Sequence, residues 1–257
     1  MNAPVNAPAD DRRRAELAAN LAAVERRIDV ACAAAGRPRE DVTLIVVTKT
    51  HPAGDVRLLN GLGVRHVAEN RDQEAAAKAA ELADLDLDWH FVGQLQTNKA
   101  RSVASYAAEV QSVDRPRLVE ALAAAARREG RELGCLLQVA LDAPENAGEG
   151  ARAPEGAAGR GGVPPGRVGE LADAVAAAEG LRLDGLMTVA PLAGHYAGRQ
   201  RAAFERLMEI SSGLRATHPA ANMVSAGMSS DLEEAVAAGA THVRVGTAVL
   251  GVRPKLR

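Results

Sequence analysis

The sequence predicts a single α/β domain, a (β/α)8 TIM barrel with an N-terminal helix, and three observations carry that prediction. The chain has 257 residues, close to the about 250 that one such barrel takes. Eight short apolar, β-branched runs alternate with Ala-rich stretches of helical composition. The runs are nearly continuous in apolar character, as in strands of a parallel sheet covered on both faces. An open doubly wound sheet is the rival arrangement.

In chain order, residues 1–9 carry two prolines and several small residues and predict a disordered lead-in to a barrel over 10–257. Leu17, Leu21, Val24, Ile28 and Cys32 then recur at steps of three or four, one face of a helix that should stop at Gly36 before Pro38. Strands follow at 43–49, 64–70, 88–93, 109–114, 134–142, 181–191, 222–228 and 241–247. Seven helical stretches lie between them, and the N-terminal helix is placed to take the eighth position of the outer ring. The segment 143–166, rich in Gly, Ala and Pro, breaks the rhythm and predicts a flexible loop after the fifth strand.

Composition narrows the partners. Lys and Arg number 31 against 33 Asp and Glu, a net charge of -2, so no basic footprint for nucleic acid stands out. An aromatic content of 2% argues against base stacking. Cys32 and Cys135 have no metal-ligand spacing and fit a reduced, cytoplasmic setting, with no metal expected. No apolar run of about 18 residues predicts a membrane span, and the N-terminus has no secretory pattern.

Working residues in this fold gather at the carboxyl ends of strands. Lys49 stands there, and only four of the 31 basic residues are lysine (Lys49, Lys78, Lys99 and Lys255). Arginine forms no Schiff base, whereas an amine between apolar walls becomes nucleophilic toward an aldehyde. A rim ion pair with Glu69 is the competing reading. The turns SAGMSSD (225–231) and VGTAVLG (245–251) run into helix starts, which favour anions such as phosphate. The ligand-free explanation is a capping box from Ser230 to Glu233. An aldehyde-reactive lysine beside a phosphate cradle suggests pyridoxal 5′-phosphate (PLP). Arg244 on the last strand could face the pyridine nitrogen, or it could pair with a rim carboxylate.

VVTKTHPA around Lys49, AEN (68–70), WHFVGQLQTNK (89–99), SVDR (112–115), GLMTVAP (185–191) and the ending SAGMSSDLEEAVAAGATHVRVGTAVLG (225–251) together resemble the pyridoxal phosphate homeostasis proteins, from about Asp10 to Gly251. The resemblance implies a fold-type III barrel like the N-terminal domain of alanine racemase. It also implies a PLP carrier without catalytic turnover, which holds the cofactor as a Schiff base on Lys49 and passes it to apo-enzymes. Carried over by position, Ser225, Gly227, Ser229, Gly246 and Thr247 would hold the phosphate, Arg244 would approach the pyridine nitrogen, Asn70 would lie beside the ring, and the 90–99 block would shape the mouth. The chain departs from the family with Ala68 where Gly is usual, and with Arg160 where a lysine is common.

The alternative is a PLP-dependent amino-acid racemase, which needs a second acid/base group, usually a tyrosine. Only Tyr106 and Tyr196 exist, and neither is an obvious candidate. A third reading, a phosphate-ester-binding barrel, drops the cofactor. Trp89 reads as core, His90 as a strand-end residue, and Lys99 as a residue that helps a helix start or contacts a neighbouring carboxylate, with a place at the mouth of the site as the lesser alternative. His51, His66, His195, His218 and His242 read as surface or rim positions. No helix face demands a dimer, so a monomer is expected.

Overall fold

The computed structural model describes residues 7–143, 161–192 and 194–251. Eight parallel strands close into a barrel in sequence order: β1 (Thr43–Val47), β2 (His66–Glu69), β3 (Asp88–Phe91), β4 (Glu109–Val113), β5 (Leu133–Gln138), β6 (Leu181–Met187), β7 (Met223–Ser225) and β8 (His242–Val245). Between them lie α2 (Ala53–Asn60), α3 (Asp72–Glu81), α4 (Ala100–Tyr106), α5 (Pro116–Glu129), α6 (Val168–Ala176), α7 (Gln200–Thr217) and α8 (Leu232–Ala238). α1 (Ala7–Ala34) precedes β1, and a single turn, α9 (Thr247–Leu250), follows β8. The strands stop short of their apolar runs at the carboxyl end, where the remaining residues leave the ladder and build loops over the barrel mouth.

Two expectations change. α1 begins at Ala7, so the last three residues of the expected 1–9 lead-in are helical, and residues 1–6 lie outside the described residues. Pro8 falls in the first helical turn, where its missing N–H would have no acceptor, and Asp10 favours the same end. Of the expected loop at 143–166, residues 144–160 lie outside the described residues, but its end is packed. Val163, the sole Val, Leu or Ile in that segment, is buried and pairs in parallel with Val139. Its N–H reaches Gln138 O at 2.7 Å, and its carbonyl accepts from Ala140 at 3.0 Å.

α1 occupies the eighth place in the outer ring. Leu17, Val24, Ile28 and Cys32 are buried against Leu232 and Val236 of α8 and Leu250 of α9, at about 1.5–3 kcal/mol for each large side chain. Arg37 donates to the carbonyls of Val236 and Ala240 at 2.8 and 2.9 Å, satisfying acceptors that the end of α8 leaves open. No helix among the described residues is long and apolar enough to cross a membrane.

Buried polar side chains meet inside the barrel. Ser225 on β7 bonds Gln111 on β4, strands that are not neighbours, so the bond crosses the interior. Gln111 and Ser225 are fully buried, and Arg244 and His90 nearly so. Burial pulls the His242 imidazole down to about 4, with Glu109 opposing and His90 and His66 adding to the shift. The unfolded chain therefore binds this proton more readily than the folded one. Stability should fall by about 3 kcal/mol as pH drops from 6.5 through 4. Urea titrations across that window test this, with His242→Gln expected to flatten the slope; an equal slope in the variant refutes the assignment to His242.

Candidate functional site

A cleft of about 470 Å³ opens at the carboxyl ends of β1, β7 and β8, between Val47, Lys49, His51, Ser229, Arg244 and Thr247. Its size suits a small ligand. Lys49 lies two residues past β1 on an exposed turn, and it makes no ion pair or hydrogen bond among the described residues. The carboxylate that could have paired with it is already taken. Glu69, fully buried, accepts from Thr48 Oγ1 at 2.7 Å and from Lys78 Nζ at 2.7 Å. Burial pushes the Glu69 carboxyl up, while Lys78 and Thr48 pull it down.

The turn that carries Lys49 is clamped by α3. Thr50 adopts φ 67° without being glycine, a conformation that costs about 1 kcal/mol or more and persists where surroundings enforce it. Its N–H donates to the Glu74 carboxylate. Lys78 bonds Glu74 at 2.8 Å and the Thr48 carbonyl at 2.9 Å. His51 closes the side of the cleft, 3.5 Å from Asp55, which Arg13 holds with two bonds of 3.1 and 2.7 Å. Burial lowers the His51 pKa.

The second wall comes from the turns after β7 and β8. The Asp231 carboxylate takes the Met228 N–H at 2.6 Å. The capping box is not formed: Asp231 occupies the cap of α8 without a side-chain cap bond, and Glu233 is bound by Arg27 at 2.7 Å. Gly246 caps α9, and its carbonyl accepts from Val249 N at 3.0 Å and Leu250 N at 2.9 Å, so of the first turn only the Thr247 and Ala248 N–H groups have no acceptor among the described residues.

Among the described residues Arg244 pairs with no carboxylate. Its guanidinium donates to Ser225 Oγ at 2.6 Å and to the Thr188 carbonyl at 2.7 Å. Desolvation pulls its pKa down to about 10, with Asp231 acting in the opposite direction, so it stays cationic at neutral pH.

Of the residues singled out from sequence, Lys49, Ser229, Arg244, Gly246 and Thr247 line the cleft together. Three others do not form its wall. Ser225 is buried beneath it with its hydroxyl committed to Arg244 and Gln111. Gly227 supports the turn: φ is +87°, a Cβ would lie 2.6 Å from that of Ala235, and its carbonyl accepts from Arg244 N at 2.9 Å. Asn70 is half-buried past β2. Lys99 meets Asp72 at 3.7 Å, and Trp89 is core. His66, His90 and His242 cluster at the other end of the barrel interior rather than standing free on the rim. Tyr106 is largely buried with its phenol pushed up by desolvation, and Tyr196 borders a separate pocket with Asp142 and His195. Arg160 lies outside the described residues. Sequence reasoning missed His51 as a cleft wall, although its place two residues after Lys49 was a usable signal.

The family model for the alanine racemase N-terminal domain matches residues 19–254. A pyridoxal phosphate homeostasis protein of Corynebacterium glutamicum is 42% identical over 238 residues, covering 90% of this chain and 99% of that protein. The chain belongs to the pyridoxal phosphate homeostasis protein family. Another member, from Escherichia coli, is 35% identical over 241 residues, covering 93% of this chain and 97% of its own. Among solved structures, PipY of Synechococcus elongatus with PLP bound superposes with a TM-score of 0.75 at 35% identity, covering 91% of this chain and all of that one (100%). Alanine racemase of Corynebacterium glutamicum reaches a TM-score of 0.62 at 16% identity, over 95% of this chain and 63% of its own, and shares the fold alone. The similar relatives are thus named for cofactor homeostasis, and the enzymes resemble this family member only in architecture.

Proposed function

We propose that this chain is a cytoplasmic PLP carrier that holds the cofactor on Lys49 as a Schiff base and delivers it to apo-enzymes. The observation that carries the reading is the Lys49 amine: without a partner among the described residues, in the cleft, and with the Glu69 carboxylate taken by Lys78. PLP supplies an aldehyde that combines reversibly with amines. A family relationship to PipY, which is described with PLP bound, supports the same reading.

The residues present fit that group. The Thr247 and Ala248 N–H groups and the Ser229 turn would form a neutral cradle suited to a phosphate. Arg244 would face the pyridine nitrogen. A guanidinium only donates, so it would leave that nitrogen unprotonated and the cofactor a poor electron sink. Ser225 and Gly227 serve this arrangement from below, by holding Arg244 and the turn rather than by touching phosphate. Asn70 would contact the ring only after a change of position at the mouth. Neither tyrosine lines the cleft, which disfavours a racemase built on a lysine and tyrosine pair. Exposure of Lys49 leaves its amine open to water and to a recipient protein, as delivery requires. The chain is proposed to act as a monomer.

The test is absorbance on adding PLP, then borohydride reduction and mapping of the adduct. Wild type should carry the reduced cofactor on Lys49. Lys49→Ala should lose the band while keeping its circular dichroism, since an exposed lysine contributes little packing. An adduct elsewhere, or an unchanged band in Lys49→Ala, overturns the assignment.

A further inference from the structure

One continuous hydrogen-bond chain runs inside the barrel from the cleft to the opposite rim. Arg244 Nη1 meets Ser225 Oγ at 2.6 Å, Ser225 Oγ meets Gln111 Oε1 at 2.7 Å, Gln111 Nε2 meets His90 Nδ1 at 3.0 Å, and His90 Nε2 meets His66 Nδ1 at 3.2 Å. The links sit on β8, β7, β4, β3 and β2. All but His66 are buried, and His66 reaches the surface beside Asp88.

Donor counting sets its direction. A guanidinium cannot accept, so Ser225 Oγ accepts from Arg244 and sends its own proton to the Gln111 carbonyl oxygen. The Gln111 amide nitrogen must then donate, and His90 Nδ1 accepts. The neutral His90 ring therefore carries its proton on Nε2 and donates it to His66.

A second partner competes for the same nitrogen. Glu109 Oε2 lies 3.0 Å from His90 Nδ1, yet in this arrangement it has no hydrogen-bond donor. A protonated His90 carries N–H on both nitrogens and would give Nδ1–H to Glu109. The Gln111 amide nitrogen would then face a donor. Gln111 would have to withdraw or turn end for end, and Ser225 would lose its acceptor.

We propose that Gln111 is a positioning residue for Arg244, acting through Ser225, and that protonation of His90 releases it. Its consequence for the cofactor rests on the function proposed above; the relay itself does not. The titratable and charged groups around His90 are Glu109 at Nδ1, His66 at Nε2 and His242, with Asp88 and Arg65 acting on His66 and Arg182 acting on Glu109. Buried polar links of this kind act as units, because each unmade bond leaves a desolvated group behind.

Nitrogen NMR of the cofactor-free full chain tests this, following Arg244 side-chain hydrogen exchange and the His90 ring across pH. In wild type, Arg244 exchange, taken relative to the intrinsic rate at each pH, should quicken by about tenfold as His90 protonates, with the same midpoint. Gln111→Leu should exchange fast at every pH while keeping its fold by circular dichroism. In Gln111→Glu the carboxylate still accepts from Ser225 and adds a negative charge beside His90, so the midpoint should rise by about one unit or more. Packing loss alone would not move that midpoint. Arg244 exchange that ignores the His90 midpoint, or that stays slow in folded Gln111→Leu, overturns the proposal. Should Gln111→Leu fail to fold, wild type and Gln111→Glu decide the question. With PLP added, an Arg244 signal that follows His90 without an adduct on Lys49 sinks the carrier function and leaves the relay. An adduct with an indifferent Arg244 does the reverse.

Discussion

Gly185→Ala should leave almost no stable barrel. Gly185 sits in β6 at φ +152°, and a Cβ there would lie 1.9 Å from the Met223 carbonyl oxygen and 2.7 Å from its carbon. Both are backbone atoms of the neighbouring strand β7, so no side chain can swing away. β6 is also held on its other edge, where the β5 register shifts between Cys135 and Leu136. Relief needs β6 and β7 to separate, which breaks a ring that has no free edge. The cost should exceed about 4–5 kcal/mol, against a total stability of about 5–15 kcal/mol for a domain. Soluble yield and a thermal melt measure it. A variant that melts within a few degrees of wild type would show that the two strands can part without opening the ring.

The second large effect is Lys78→Met. Glu69 is 1% exposed, and Lys78 is its one cationic partner among the described residues. Removing the ammonium strands a buried carboxylate, at a cost of about 3–5 kcal/mol. It also frees Glu74 and the Thr48 carbonyl, so the strained turn carrying Lys49 loses its clamp. The Glu69 pKa, already raised by burial, should climb further without Lys78. The folded variant then binds this proton more tightly than the unfolded chain, so its stability falls as pH rises from about 4.3 through the raised value. Urea unfolding at pH 5 and 7.5 should show the variant least stable at the higher pH. Glu69→Gln in the same chain should restore most of the loss and remove the trend. Equal stability of Lys78→Met and wild type at pH 7.5 would mean that Glu69 is not held as a charge.

Most of the architecture was legible because it rests on local patterning. Each apolar run found its strand, and the α1 face from Leu17 to Cys32 was readable from spacing alone, since helical period and burial coincide there. Lys49 was legible through the scarcity of lysine, and the Ser229 and Gly246 turns through their small residues ahead of helix starts. Ser225 is placed differently from Ser229 for a physical reason. It lies in the same Gly/Ser-rich stretch as Ser229, but strand β7 extends through it, so its hydroxyl points into the barrel and is consumed there. Val163 escaped the reading because a lone β-branched residue in a Gly-rich segment gives no periodic signal but still pairs with Val139 at the end of β5.

By itself the sequence determined the barrel, its strand order and the amine at its mouth, since those follow from hydrophobic period, connection length and residue chemistry. Which carboxylate holds which cation was decided only by closure of the ring. Glu69 is nine residues from Lys78 and twenty from Lys49, and the sequence offers it to either; α3 swings Lys78 beneath the turn and leaves Lys49 free. Gln111, 114 residues from Ser225 along the chain, meets it only because a closed barrel turns one face of every strand toward a common interior.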